Sequence, residues 1–202
     1  MKIVVLVEGA TELAFRDALI EFLKSRLLGR MPRLVIQGQR GRIPTGEKLQ
    51  RLVTTEFKGK SAADAVIALT DVYTGMDDFK DAADAKAKMR TWVGAEPRFH
   101  PHAAQHDFEA WLLPFWPTIQ KLAQHNKTAP SGKPETVNHN NPPASRIKEI
   151  FESGKCRDSY QKPRDAKRIL KDNDLFVSAN ACPELKAFLN TILSLCGGEV
   201  IE

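Results

Sequence analysis

The sequence predicts an α/β protein in which a parallel sheet is flanked by helices. Short apolar runs typical of buried strands alternate with segments whose apolar residues recur at helical spacing. The strands are apolar almost throughout, as in parallel sheets that are covered on both faces. At 202 residues the chain is long enough to build one well-buried core.

The first strand is predicted at Ile3–Val7, and an amphipathic helix follows the turn at Glu8–Glu12. Further strands are predicted at 32–38, 65–70 and 98–103, and helices at 49–57, 80–92 and 108–116. Pro101 removes a backbone donor inside the last predicted strand, so we expect that strand at an edge of the sheet.

The chain divides by composition into three parts. Residues 1–125 are predicted to form the α/β domain. Residues 126–146 are rich in Asn, His, Pro, Ser and Gly, with little apolar periodicity, which predicts a poorly packed loop or linker. Residues 147–202 are predicted to form a small helical part packed on the core, because Pro163 and Pro183 suit first helical turns.

The overall composition is that of a soluble globular protein, with 42% hydrophobic and 27% charged residues. No apolar run approaches the roughly 18–20 residues that span a membrane, and the short apolar start is unlike a signal peptide. Three widely spaced cysteines give neither a disulfide framework nor a zinc pattern. We therefore expect a cytoplasmic protein without a membrane partner.

Charge is distributed unevenly along the chain. The net charge is +6 over residues 1–60, −4 over 61–120 and +3 over 121–202. An acidic middle between basic flanks suits a metal-dependent enzyme on nucleic acid, because acids hold the metal and basic surfaces contact phosphates.

A basic segment follows the second predicted strand. Its candidate contacts to a nucleic-acid backbone are Arg40, Arg42, Lys48 and Arg51, and the alternative is an ordinary solvated loop and helix face. The glycine spacing in this segment is that of a phosphate-binding P-loop, but Glu47 stands where that motif needs lysine, so we reject a P-loop.

Two acids stand where predicted strands end. Glu8 follows the first strand and Asp71 follows the third, and the carboxyl ends of parallel strands share one edge, where ligands bind. Such carboxylates suit Mg²⁺ or Mn²⁺, which polarise phosphoryl groups and activate water. Glu109 is a third candidate, predicted to share a helical face with His106. The alternative is that these acids are ordinary polar residues of turns and helix surfaces.

An ordered set of motifs resembles a bacterial TOPRIM-like family, catalogued as domain of unknown function 4276. The motifs are Val7–Glu12, Thr70–Gly75 with Asp78-Phe79, Arg98-Phe99, His106–Leu112, Ser145–Ile147, Tyr160–Lys162 and Cys182–Leu185. The resemblance runs over nearly the whole chain in the expected order.

The resemblance implies a TOPRIM fold related to OLD-type nucleases. In that superfamily a Glu after the first strand and an Asp-x-Asp pair after a later strand hold Mg²⁺. Glu8 and Asp71 match the first two of these acids, but Tyr73 stands in place of the third. The acids that could take its place are Asp77, Asp78 and Glu109. This departure puts two-metal chemistry in question.

The combined prediction is a site at the carboxyl edge of the sheet. The catalytic candidates are Glu8, Asp71, Glu109 and Lys162, and the metal candidates are Glu8, Asp71, Asp78 and Glu109. Further candidates within the resembling motifs are Glu12, Tyr73, His106 and Tyr160.

The preferred hypothesis is Mg²⁺- or Mn²⁺-dependent hydrolysis of DNA or RNA. The resemblance adds a genome-defence setting with an ATPase partner. One alternative is a degenerate, non-catalytic TOPRIM module that binds nucleic acid or regulates an ATPase. Another is a metal-dependent phosphatase acting on nucleotides. Association into a homo-oligomer is left open.

Overall fold

The computed structural model describes residues 1–39, 41–72, 78–137, 141–155 and 159–202. Three of the predicted site residues, Arg40, Tyr73 and Asp77, lie outside the described residues. Within the described part of the chain, no helix combines the length and apolar character needed to cross a membrane.

The sheet has four parallel strands in the order β2-β1-β3-β4. The strands are β1 (Lys2–Val7), β2 (Arg33–Gly38), β3 (Ala65–Val72) and β4 (Phe99–Gln105). This confirms the predicted parallel α/β sheet. The strand that contains Pro101 lies at one edge, as predicted. β3 runs past its predicted end, so Asp71 lies within the strand and is paired with Ala104.

Nine α-helices are found in the described residues. They are α1 (Ala10–Ala14), α2 (Arg16–Arg26), α3 (Gly46–Glu56), α4 (Ala82–Val93), α5 (Trp116–Ala123), α6 (Pro143–Ser153), α7 (Lys162–Leu170), α8 (Leu175–Ala181) and α9 (Pro183–Leu195). A 3₁₀ helix, Phe108–Phe115, joins β4 to α5, and a short 3₁₀ turn spans Pro134–Thr136.

The two faces of the sheet are covered by different helices. On one face, alternate residues of β1 such as Val4 and Leu6 pack with Leu49 of α3 and Met89 of α4. On the other face, Val5 joins a larger core, whose further residues come from α2, the 3₁₀ helix 108–115 and the helices α5 to α9. The C-terminal helices therefore complete the core over one face of the sheet.

Two local predictions need correction, and one further helix was missed. The segment predicted as a helix at 108–116 is a 3₁₀ helix that contains Pro114, which lacks a backbone donor. Its polar face is not solvated, because every residue from Phe108 to Leu113 is buried. Helix α8 was not predicted. The expectation that residues 126–146 pack poorly is also wrong in part, because Glu135 and Val137 are buried and α6 begins within this segment.

Candidate active site

A cavity of about 210 Å³ opens at the carboxyl edge of the sheet. We call it the acidic cavity, and it is lined by Glu8, Gly9, Thr11, Glu12, Gly41, Arg42, Asp71, Glu109 and Lys162. It forms where β1 and β3 run side by side, with Val7 paired to Leu69 just before Glu8. The structure therefore brings together the predicted catalytic candidates Glu8, Asp71, Glu109 and Lys162.

Glu8 is fixed by the neighbouring strand. Its side chain is almost fully buried, and its Oε1 atom accepts hydrogen bonds from the Thr70 hydroxyl (2.5 Å) and the Asp71 backbone N–H (3.1 Å). Both donors come from β3, so the pairing of the two strands sets the position of the carboxylate. Thr70 was not among the predicted site residues, although its place before Asp71 put it at the same strand end.

Glu12 follows the strand-end turn and reaches back across it. Its Oε2 atom accepts the Gly9 backbone N–H at 3.0 Å, which satisfies a donor at the start of α1. Burial raises the pKa of Glu12, and the negative charges of Glu8 and Glu109 raise it further. Glu12 thus stabilises the turn through the Gly9 N–H and also lines the acidic cavity.

Asp71 is the acid most strongly affected by its surroundings. The residue is buried, and desolvation raises its pKa well above the usual range for a carboxyl group. The negative charges of Glu12, Glu8, Asp107 and Glu109 act in the same direction. The cavity therefore concentrates negative charge at the end of β3.

Glu109 enters the cavity from the 3₁₀ helix and is 1% exposed. Its Oε1 atom accepts a hydrogen bond from the Tyr160 hydroxyl at 3.4 Å and lies 3.1 Å from Lys162 Nζ. Burial disfavours the charged form of Lys162, but the negative charges of Glu109 and Asp107 outweigh it and raise the pKa of the amine. The C-terminal part thus contributes Lys162, which with Arg42 lines the cavity beside the four carboxylates.

Asp107 is a buried acid that the sequence analysis did not select. Its Oδ2 atom accepts the Ala144 backbone N–H at 3.1 Å, while its buried Oδ1 atom has no hydrogen-bond partner among the described residues. Burial, together with the charge of Glu109, raises the pKa of Asp107 to about 7. The available signal was its position just after β4, at the same sheet edge as Glu8.

Other predicted residues do not line the acidic cavity. Asp78 forms an ion pair with Arg42, and together with Lys48 it lines a neighbouring cavity. Arg51 is exposed and pairs with Glu47 on the surface of α3. The predicted face shared by His106 and Glu109 is wrong, because His106 precedes the 3₁₀ helix in a left-handed conformation with φ of 71°.

The donor chemistry of the cavity fits a hard divalent cation. Carboxylate oxygens are what Mg²⁺ and Mn²⁺ prefer, and the unpartnered Oδ1 atom of Asp107 adds a buried acceptor close by. Within the described residues, no three His, Cys, Asp or Glu side chains are arranged to hold a metal ion together. Mg²⁺ commonly keeps several waters and uses only one or two carboxylates plus substrate phosphates, so a full protein cage is not required.

The fold is similar to that of the C-terminal region of an OLD protein. The chain superposes on the C-terminal region of the Burkholderia pseudomallei OLD protein with a TM-score of 0.56 and 13% identity, covering 96% of this chain and 98% of that one. The corresponding region of the Xanthomonas campestris pv. campestris OLD protein gives a TM-score of 0.49 at 12% identity, covering 97% and 94% of the two chains. No curated protein matches the sequence.

The chain belongs to the family described as "Domain of unknown function (DUF4276)", whose model matches residues 7–193. This confirms the family resemblance and the TOPRIM-like α/β fold predicted from the ordered motifs.

Proposed function

We propose that this protein is a Mg²⁺- or Mn²⁺-dependent phosphodiesterase that hydrolyses nucleic acid. The observation that carries the proposal is the convergence of four carboxylates and one lysine on a single open cavity at the carboxyl edge of the sheet. Buried groups with strongly shifted pKa values in a cleft are typical of functional sites. Asp71 lines the cavity and is such a group, and the pKa of Asp107 is raised because burial and the charge of Glu109 outweigh the Ala144 hydrogen bond and the charge of Lys162.

The chain's own residues divide the chemical work. One or two of the carboxylates of Glu8, Asp71 and Glu109 would hold the metal together with substrate phosphates, and the bound metal would polarise the phosphoryl group and activate water. Lys162 would stabilise the negative charge that develops on the phosphoryl oxygens, because its amine lines the cavity and is half exposed to an incoming substrate.

Neighbouring hydroxyl groups hold two of the carboxylates in place. The Thr70 hydroxyl orients Glu8 from the adjacent strand, and the Tyr160 hydroxyl orients Glu109 from the segment before α7. Hydrogen bonds of this kind fix the direction of a ligating or catalytic carboxylate. Both hydroxyls therefore belong to the proposed site as positioning groups.

Nucleic-acid binding and a partner complete the proposal. Arg42 lines the acidic cavity, and Lys48 lies in the adjoining one, so cations are available to the backbone of a bound strand. Arg40 and Arg51 remain candidates for outer phosphate contacts. The solved structures that the chain resembles are C-terminal regions of longer proteins. This supports assays both with and without an ATPase partner, which the family resemblance suggests.

A second candidate function is a non-catalytic module that binds nucleic acid. It is favoured by the ion pair between Lys162 and Glu109, and by the raised pKa of Asp71, since a carboxyl group that holds its proton more tightly is a weaker metal ligand. Wild-type protein that binds nucleic acid but cleaves none, with Mg²⁺ or Mn²⁺ and with the partner present or absent, would establish this alternative.

Glu8→Gln tests the proposal directly. The amide keeps the size of the side chain and an acceptor for Thr70 but removes the charge. Cleavage of DNA and RNA should therefore fall by about a hundredfold or more, whereas nucleic-acid binding should stay the same or strengthen. Glu47→Gln is the matched control, because Glu47 is an exposed acid of α3 and its loss should leave cleavage unchanged. Equal cleavage by wild type and Glu8→Gln would place the activity elsewhere.

A further inference from the structure

A second cavity, of about 300 Å³, opens beside the acidic cavity. We call it the side cavity. Its described lining includes Arg42, Lys48 and Asp78 as charged groups, and Ile43 and Phe79 as apolar groups. These residues come from the loop after β2, the first turn of α3 and the segment before α4. The segment 41–48, whose glycine spacing is that of a P-loop, thus forms one wall of the side cavity.

The two cavities adjoin each other. Arg42 lines both of them. Thr70 lines the side cavity, while its hydroxyl donates to Glu8 of the acidic cavity. Because Arg42 lines both cavities, one ligand in contact with Arg42 can occupy parts of both. The shared residues link the second recess to the first.

The charges of the side cavity suit a phosphate. Arg42 and Lys48 supply two cations, and the Asp78 carboxylate occupies the Arg42 guanidinium. A carboxylate and a phosphate bind a guanidinium in the same bidentate manner, so Asp78 holds a place that a phosphate oxygen can take. The side chains of Arg42 and Asp78 are 34% and 47% exposed, so this ion pair is weak and open to exchange.

The apolar walls of the side cavity suit an organic phosphate better than inorganic phosphate. Ile43 and Phe79 are buried apolar residues that line the recess. Ligand sites often combine apolar walls with a few charged side chains. The walls select the organic part of the ligand by its shape, and the charged side chains form ion pairs with its charged end. A sugar or base would contact Ile43 and Phe79 while its phosphate reached Arg42 and Lys48.

We propose that the side cavity binds the nucleotide adjacent to the scissile phosphate. Its phosphate is held by Arg42 and Lys48, with Asp78 displaced, and its sugar or base lies against Ile43 and Phe79. This inference rests on the proposed function, because only a nuclease cleaves the phosphate next to the bound nucleotide. Binding of a phosphorylated nucleoside in the recess can be measured without any cleavage.

The test is a titration of metal-free, methyl-labelled protein with thymidine 5′-monophosphate, followed by NMR at the Ile43 methyl group. The Ile43 signal should shift and saturate. Lys48→Ala should weaken the binding by about threefold to tenfold, since one charge-assisted contact is lost. Lys60→Ala is the matched control, because Lys60 is an exposed lysine beyond the opposite end of α3.

Asp78→Asn provides a change in the opposite direction. It removes one carboxylate that competes for Arg42, so the nucleotide should bind about threefold or more tightly, a gain that misfolding cannot imitate. Inorganic phosphate should bind more weakly than the nucleotide. An unmoved Ile43 signal, equal effects of Lys48→Ala and Lys60→Ala, equal affinity for phosphate and nucleotide, or weaker binding by Asp78→Asn would each overturn the proposal.

Cleavage assays separate this inference from the proposed function. If wild type cleaves oligonucleotides but Lys48→Ala and Lys60→Ala have the same KM, the side-cavity proposal is wrong and the proposed function stands. If the nucleotide binds as described but nothing is cleaved, the proposed function fails. The recess is then a nucleotide site of a binding module.

Discussion

Two buried aspartates, Asp71 in the acidic cavity and Asp165 in the first turn of α7, have opposite surroundings. Asp71 faces other carboxylates, and its pKa is raised. Asp165 is 0% exposed, and burial alone would raise its pKa as well. Instead, hydrogen bonds from Arg164, the Gln161 backbone N–H and Arg168 lower it. Both acids are buried, but charged hydrogen-bond donors surround Asp165, whereas other carboxylates dominate the surroundings of Asp71.

The comparison separates a buried acid that has cationic partners from buried acids that lie beside other acids. A buried charge with a complete set of partners stabilises the turn that holds it, whereas buried like charges cost stability until something cationic arrives. Asp165 holds the turn that carries Lys162, and in the acidic cavity the four lining carboxylates outnumber the two lining cations, Arg42 and Lys162. Under the proposed function, the cavity acids serve to bind a cation rather than to stabilise the fold.

The largest expected effect concerns Asp107 and pH. Its folded-state pKa of about 7 lies above the ordinary value of 3.8, so the folded state holds the proton more tightly than the unfolded state. The resulting stability is fully present below pH 3.8 and is lost as the pH rises towards 7, by up to about 4 kcal/mol. Asp107→Asn should flatten this decline. Urea unfolding at pH 4 and pH 8 measures it, and an unchanged pH dependence would contradict the assignment.

Asp165→Ala should be the most destabilising single change at neutral pH, by about 3 kcal/mol. It removes the acceptor of the Gln161 N–H and leaves Arg164 and Arg168 without their shared partner. Asp174→Ala, which removes an exposed N-cap acceptor of α8, should cost only about 1 kcal/mol in the same denaturation experiment. Similar losses for both variants would show that burial of Asp165 adds little.

Glu135 is an intermediate case and sharpens the comparison. It is buried, but it accepts the Trp111 indole N–H at 2.9 Å and the Glu184 backbone N–H at the start of α9. Glu135→Ala leaves both donors unsatisfied and should destabilise the fold by about 2 kcal/mol, whereas Glu135→Gln keeps an acceptor and should cost about 1 kcal/mol or less. Thermal unfolding of the two variants checks the order, and a reversed order would refute the structural role.

The sequence was sufficient where local patterns decide the structure. The apolar runs predicted all four strands, Pro101 predicted the edge, and the strand ends placed Glu8 and Asp71 together. The sequence was insufficient where contacts between distant parts of the chain determine the surroundings of a residue. Asp107 depends on the Ala144 N–H, and Glu135 on the start of α9, neither of which is visible in a local window.

The secondary structure after β4 shows the same limit. Apolar residues at 108–116 indicated a helix, but Pro114 and burial on all sides give a 3₁₀ helix with Glu109 pointing into a polar site. Burial of this kind is set by tertiary packing, which overrides local propensity. The side cavity was equally hidden, because Asp78 meets Arg42 only in the folded chain.

The most direct test of the account is the stability of Asp71→Asn with and without Mg²⁺. In chelator at pH 8, the variant should be more stable than wild type by about 1 kcal/mol, because an amide carries no charge and can donate to a neighbouring carboxylate. Near-saturating Mg²⁺ should stabilise wild type by about 1–3 kcal/mol and the variant by much less. A less stable variant in chelator, or equal Mg²⁺ effects on both proteins, would contradict the claim that the acidic cavity is built to receive a cation.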